Sequence, residues 1–231
     1  MEGWLRSLIA LGFSALLGAG TSNRASASTI TVVMTGQITS AIDSNAVTDG
    51  SLAVGVPYTL AMTYDDSIGD ADSDPLSGTY LIPAATASYS ITVGNYQFSS
   101  NSILNVGLLD GFFDPSEDTL SWFADQFTAT GVFDPGVSLG SAGYSNTALY
   151  DFAGTALASD EITAIVWDRS LYEADDAALY LLLEVLDPRT VGQDFIELQG
   201  TIATMAVLPE PAAIVLLAVG AIGVALRRRF A

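Results

Sequence analysis

Apolar and polar side chains alternate along much of this chain with period two, the spacing of a strand that buries one face. Ile30, Val32, Met34 and Ile38 fall on one side of an extended segment whose other side shows Thr29, Thr31, Thr35, Gln37 and Thr39. Tyr58, Leu60, Met62 and Tyr64 repeat the pattern after a Gly55-Val56-Pro57 lead-in. Tyr89, Ile91 and Val93, then Gly94-Asn95, then Tyr96 and Phe98 spell a hairpin in which Gly94 supplies the positive φ of a type II′ turn. Further strands are predicted at 102–109, 119–130, 178–186 and 195–206. The run at 178–186 also has helical propensity, but it is short and stops at Asp187-Pro188, which makes it a central strand. Residues 131–147 read as a loop. Long amphipathic helical windows and repeats of fixed period are absent, so the body is expected to be all-β, a sandwich or jelly roll.

The two ends break this pattern. After Met1-Glu2-Gly3-Trp4-Leu5-Arg6 comes an apolar run from Leu8 to Gly20, then Ala25-Ser26-Ala27. A basic start, a short apolar core and a small-x-small site make a secretory signal peptide over 1–27, with cleavage set by Ala25 and Ala27. The far end reads Pro209-Glu210-Pro211, then Ala212 to Leu226 without a polar side chain, then Arg227-Arg228-Arg229. A helix over that apolar run spans about 22 Å at about 1.5 Å per residue, against a hydrocarbon core of about 30 Å. Apolar all round and stopped by three cations, it suits a transmembrane helix whose arginines stay on the cytoplasmic side. The organisation is thus signal peptide 1–27, β-sandwich body 28–208 and membrane tail 209–231.

Charge and composition narrow the function. Of 231 residues none is Lys, His or Cys. This removes Ser-His and Cys-His nucleophile pairs, thiolate and imidazole metal sites, disulfides, Walker loops and Schiff-base chemistry. From Ser28 to Leu208 only Arg169 and Arg189 stand against 24 acidic residues, a net charge of −22. Such a body repels nucleic acid and anionic membrane surfaces. What survives is carboxylate chemistry and metals bound through oxygen.

Pro209-Glu210-Pro211, a short apolar segment and the cluster Arg227, Arg228 and Arg229, on a chain with a signal peptide, resemble the PEP-CTERM sorting signal of bacterial exported proteins. The resemblance implies an exosortase, a membrane-embedded cysteine transpeptidase, as partner. It also implies transient anchoring in the inner membrane through the tail and delivery to the cell envelope or extracellular matrix. The usual Ser or Thr two residues after the second Pro is Ala213 here. Tails of this type are also grouped under an ice-binding heading, but the body offers only one Thr-x-Thr, at Thr29 and Thr31, and no repeat to build a flat ice-matching face. The order of strands in the body is similar to that of uncharacterised bodies on such tails and implies no activity.

Candidate chemistry in the body is sparse. Asp65-Asp66-Ser67-Ile68-Gly69-Asp70-Ala71-Asp72-Ser73-Asp74 is the densest polar cluster, and Asp66, Asp70, Asp72 and Asp74 could converge on Ca²⁺. It is not an EF-hand: counted from Asp70, position six is Pro75 and position twelve Leu81. Asp114-Pro115-Ser116-Glu117-Asp118 reads as a turn. Trp122 with Phe123 and Phe127 reads as core, whereas Trp167-Asp168-Arg169, in the acidic stretch that runs through Tyr172, is the better candidate for an exposed aromatic site able to stack on sugar rings. Two carboxylates suffice for glycoside hydrolysis, and no Asp-Thr-Gly or Asp-Ser-Gly of an aspartic protease occurs. The expectation is a sorted structural or binding module with no cofactor and no catalysis. Its alternatives are a calcium-assisted carbohydrate-binding or adhesive module, marked by an aromatic row beside the Asp65 to Asp74 loop, and a carboxylate glycosidase.

Overall fold

The computed structural model describes residues 29–74, 76–100, 102, 104–110, 117–157, 159, 161–173, 178–190 and 194–208. The signal-peptide and tail helices expected at the two ends lie outside these. The body is all-β, as the alternation predicts. Its strands are β1 (Thr29–Asp43), β2 (Pro57–Asp65), β3 (Ser77–Ile82), β4 (Ser88–Val93), β5 (Tyr96–Ser100), β6 (Leu104–Asp110), β7 (Asp118–Asp125), β8 (Phe127–Thr130), β9 (Ser138–Asp151), β10 (Ala178–Leu186) and β11 (Asp194–Leu208). They form one antiparallel sheet in the order β3-β6-β7-β9-β10-β11-β1-β2-β4-β5-β8. Among the described residues the helical turns are short 3-10 turns at Ile162–Ala164 and Arg169–Leu171, and no helix is long and apolar enough to cross a membrane.

A sheet this wide must curl to bury an apolar face, and here it folds over on itself. The long middle pair β1 and β11 carries register shifts after Thr35 and after Ile38, irregularities of the kind that increase twist and bend a strand. Gly36 and Gly200 sit at this place. A Cβ on Gly36 would run into the Thr201 carbonyl oxygen, and one on Gly200 would lie 2.7 Å from the Tyr58 ring and 2.9 Å from the Gln37 carbonyl oxygen. The Tyr58 ring therefore lies over both glycines, and its hydroxyl donates to the Thr201 carbonyl at 3.1 Å.

The concave face collects Val32, Met34, Leu60, Ile91, Phe98, Leu181 and Leu198, all buried. A polar contact crosses it. The Tyr89 hydroxyl of β4 meets the Ser145 and Thr147 hydroxyls of β9 at 3.0 and 2.7 Å, and Ser145 donates onward to the Tyr180 carbonyl at 2.8 Å. The β9–β10 connection seals the concavity. Leu157 N–H donates to Asp118 of β7, Ile162 N–H to the Tyr80 hydroxyl of β3, and the Arg169 guanidinium to the Ile202 carbonyl of β11.

Three expectations are corrected. Residues 131–147 are not a loop throughout, because β9 begins at Ser138 and lies between β7 and β10. Residues 119–130 are two strands: Gln126, at φ +53°, turns the chain so that β7 pairs with β6 and β9 while β8 pairs with β5. Residues 77–82 form β3, a strand the alternation did not announce. The hairpin at Gly94 is as predicted, with positive φ at Gly94 and none at Asn95.

Two outcomes follow from this packing. Gly36→Ala should lower stability by about 1–3 kcal/mol, since the added methyl meets backbone that cannot swing aside. Gly69→Ala, which meets nothing within 4 Å, should leave the thermal midpoint nearly unchanged; equal midpoints for the two variants would refute the bend. The second outcome concerns alkali. Burial pushes the hydroxyls of Tyr58, Tyr64 and Tyr172 well up and that of Tyr89 to about 12. Unfolded tyrosines ionise near pH 10, so above that pH the unfolded chain binds fewer protons than the folded one. The stabilisation is complete below about pH 10 and is lost as pH rises through 12. Tyrosinate absorbance from these residues should thus appear together with loss of the sheet circular dichroism, not before it.

Candidate functional site

The acidic loop after β2 spends its carboxylates on its own backbone. Asp70 Oδ1 accepts from the N–H groups of Asp72 and Thr79 at 2.8 and 2.7 Å. Asp72 accepts from Ser73 and Asp74 N–H and from the Ser77 hydroxyl, and Asp74 from Leu76 N–H. These bonds hold the Asp72 carboxyl below the usual carboxylate range, with the Asp74 N–H contributing most. Asp65 is lowered likewise, first by the Ser67 hydroxyl and then by its N–H. Among the described residues no three acidic side chains come together as metal ligands.

Asp118, read from sequence as part of a turn, opens β7 instead and lies buried beside the equally buried Asp151 of β9. Burial alone would push Asp151 up. The N–H groups of Thr155, Ala153 and Ala156 and the Thr155 hydroxyl outweigh it and hold the carboxyl low. The pair organises the start of the sealing connection.

The Trp167 to Tyr172 segment, the candidate for an exposed aromatic site, turns its rings inward. Trp167 is half-buried and stacks on the buried Trp122 ring at 5.4 Å, with 20° between planes. Tyr172 is buried and donates to the Val166 carbonyl, and Arg169 also donates to the carbonyls of Tyr172 and Glu173. A segment that covers the concave face packs its aromatics against that face, Tyr172 fully and Trp167 in part. Trp122 and Phe127 are core, as expected, but Phe123 is 41% exposed on the opposite face.

That convex face has two textures. Across β11, β1, β2 and β4 the register aligns Thr204, Thr35, Thr59 and Thr92, with Thr35 and Thr204 hydroxyls 2.6 Å apart. Across β7, β9 and β10 it carries rings instead. Phe123 and Tyr144 have centroids 5.7 Å apart with 21° between planes, and Tyr144 and Tyr180 have centroids 5.6 Å apart at 35°. Burial first, then the Tyr144 hydroxyl and the Glu197 charge, push the Tyr180 hydroxyl up to about 12. Beside this row a groove of about 380 Å³ is lined by Tyr180, Leu182, Glu184, Phe195 and Glu197. Glu184 accepts from Ala142 N–H at 3.1 Å, and Glu197 from the Gln199 amide at 3.0 Å. Period two held the signal for Phe123, since Trp122 inside forces its neighbour outside. Tyr144 was hidden in the supposed loop. The row does not adjoin the acidic loop as the calcium-assisted alternative requires: that loop follows β2 and docks on the edge strand β3, two strands away from β7.

Ala25 and Ala27, and Pro209, Glu210, Pro211, Arg227, Arg228 and Arg229, lie outside the described residues. Val207 and Leu208, the last residues of β11, lie within them and pair with Val32 and Thr31 of β1. The family model of the PEP-CTERM protein-sorting motif matches residues 207–229, starting on these last two residues of the strand. No curated protein and no solved structure matches the chain. The chain thus carries, from the last two residues of the middle strand of its sheet onward, a PEP-CTERM sorting motif, which implies an exported protein passed to an exosortase.

Proposed function

We propose that this is a sorted module of the bacterial envelope or extracellular matrix, working by structure and binding and not by catalysis. The sorting motif at 207–229 carries the reading. Two features of the body agree with it. The buried Asp118 and Asp151 carboxylates accept from backbone N–H groups, a structural use that does not set up an acid and a base across a cleft. The start of β1 and the end of β11 are paired, Thr31 with Leu208, so the signal peptide and the tail attach side by side at one end of the middle strands. Both apolar segments can then engage the same membrane while the body hangs outside it.

The tail acts as a transient anchor. An apolar run of about 22 Å in a core of about 30 Å, held by Arg227 to Arg229 at the cytoplasmic side, keeps Pro209-Glu210-Pro211 close to the outer boundary. The two prolines deny that segment helix and sheet pairing and leave extended backbone for the transpeptidase. In a host with an exosortase, mass spectrometry of mature wild-type protein should find no peptide containing Arg227 to Arg229. Replacing Pro209, Glu210 and Pro211 by alanine should leave export intact while the protein accumulates in the membrane with that peptide attached. Wild-type protein that keeps its arginines there would show a permanent anchor and overturn the sorting.

A further inference from the structure

The convex face of β7, β9, β10 and β11 has the make-up of a recognition surface. Phe123, Tyr144 and Tyr180 come from three adjacent strands and step across the sheet by 5.7 and 5.6 Å, on the scale of one sugar ring. Strand pairing on both sides fixes their backbones, so little ordering remains to be done when a ligand arrives. By register Asn146 lies between Phe123 and Tyr180, opposite both, and Gln199 faces Tyr180 across the β10–β11 pair, which places an amide on either side of Tyr180. The groove beside it adds the Glu184 and Glu197 carboxylates, each steadied by a hydrogen bond within the sheet.

Charge selects the occupant. Arg169 is tied to main-chain carbonyls and Arg189 forms a bidentate pair with Asp187 and a further bond to Asp134, and the sequence holds no other cation between Ser28 and Leu208. An anionic ligand meets the field of a body at −22, and so does a second copy of the chain. A polycation needs no rings, because it finds acid over the whole surface. A neutral glycan uses every part of this one: its C–H faces cover the rings, and its hydroxyls meet the carboxylates and amides.

We propose that this face binds a neutral polysaccharide chain, with Phe123, Tyr144 and Tyr180 as its platform and Glu184, Glu197, Asn146 and Gln199 as its hydrogen-bonding rim. The proposal rests on the reading of the body as a sorted binding module and names what it binds.

The test uses the full chain in detergent, titrated by calorimetry with three soluble hexamers: cellohexaose, the hexamer of N-acetylglucosamine and the hexamer of galacturonate. At least one neutral hexamer should bind, with an affinity independent of salt, and the galacturonate hexamer should not. Tyr144→Ala with Tyr180→Ala should weaken binding by about tenfold or more, the usual cost of losing anchoring rings. Phe123→Ser, a single exposed change, gives the same readout should the double variant fail to fold, and Thr92→Ala on the hydroxyl half should change nothing. Failure of both neutral hexamers to bind overturns the proposal, as does binding that survives the ring variants or is matched by galacturonate. The C-terminal peptide is scored in host-made protein alongside: a processed tail with no glycan binding removes the ligand and leaves the sorted module, whereas an intact tail removes the sorting whatever the calorimeter reads.

Discussion

Tyr58 lying across Gly36 and Gly200 is the contact on which the architecture depends. Eleven antiparallel strands in one sheet cannot stay flat and still bury thirty-odd large apolar side chains, so the sheet has to turn, and the turn has to be placed. It is placed in the two longest strands, where the missing Cβ atoms let the ring lie against the backbone and the phenol satisfies the Thr201 carbonyl. The ring replaces the side-chain packing that two glycines would otherwise take out of a strand interior. Everything on one side of this point becomes one wall of the core and everything on the other side its opposite wall.

Once the walls face each other, each face acquires its own chemistry. The inner one is mostly apolar, and where Tyr89 reaches across to Ser145 and Thr147 its hydroxyl is buried and partnered. Such a contact is worth little in net free energy, but an apolar side chain in place of Tyr89 takes a buried partner from both Ser145 and Thr147, so it fixes which strands face which. The outer face, free of that demand, divides into a threonine half and an aromatic half along the strand direction. The division is made by pairing alone, since each half draws one side chain from each of several strands.

The strands legible in the sequence are those whose buried positions are apolar: β1, β2, β4 and β5 follow from alternation, β10 from a short apolar run that stops at Asp187-Pro188, and β6 and β11 were predicted at 102–109 and 195–206. β9 was missed because its inner positions include Ser145 and Thr147, polar for the sake of Tyr89, which lies 56 and 58 positions earlier in the chain. β3 was missed because it is short and opens with Ser77 and Gly78, leaving Tyr80 and Ile82 as its apolar signal. The corner at Gln126 has no glycine to mark it. The sorting tail, by contrast, was fully legible, because its recognition depends on a local string of residues and not on long-range pairing. The aromatic row lies at the other extreme. Its members are 21 and 36 positions apart, and only the register of β7, β9 and β10 brings them side by side.

The position of β11 has a mechanical meaning. A strand at a sheet edge peels away one hydrogen bond at a time when its end is pulled, whereas a strand paired along both sides must break many bonds in the same instant. β11 is paired with β10 over Asp194 to Thr201 and with β1 from Ile196 to Leu208, and the tail continues from its last residue. A pull on the tail therefore enters the body lengthwise through a strand paired along both sides. Against resistance at the far end of the sheet it loads the ladder in shear, the geometry in which a hydrogen-bonded ladder holds longest.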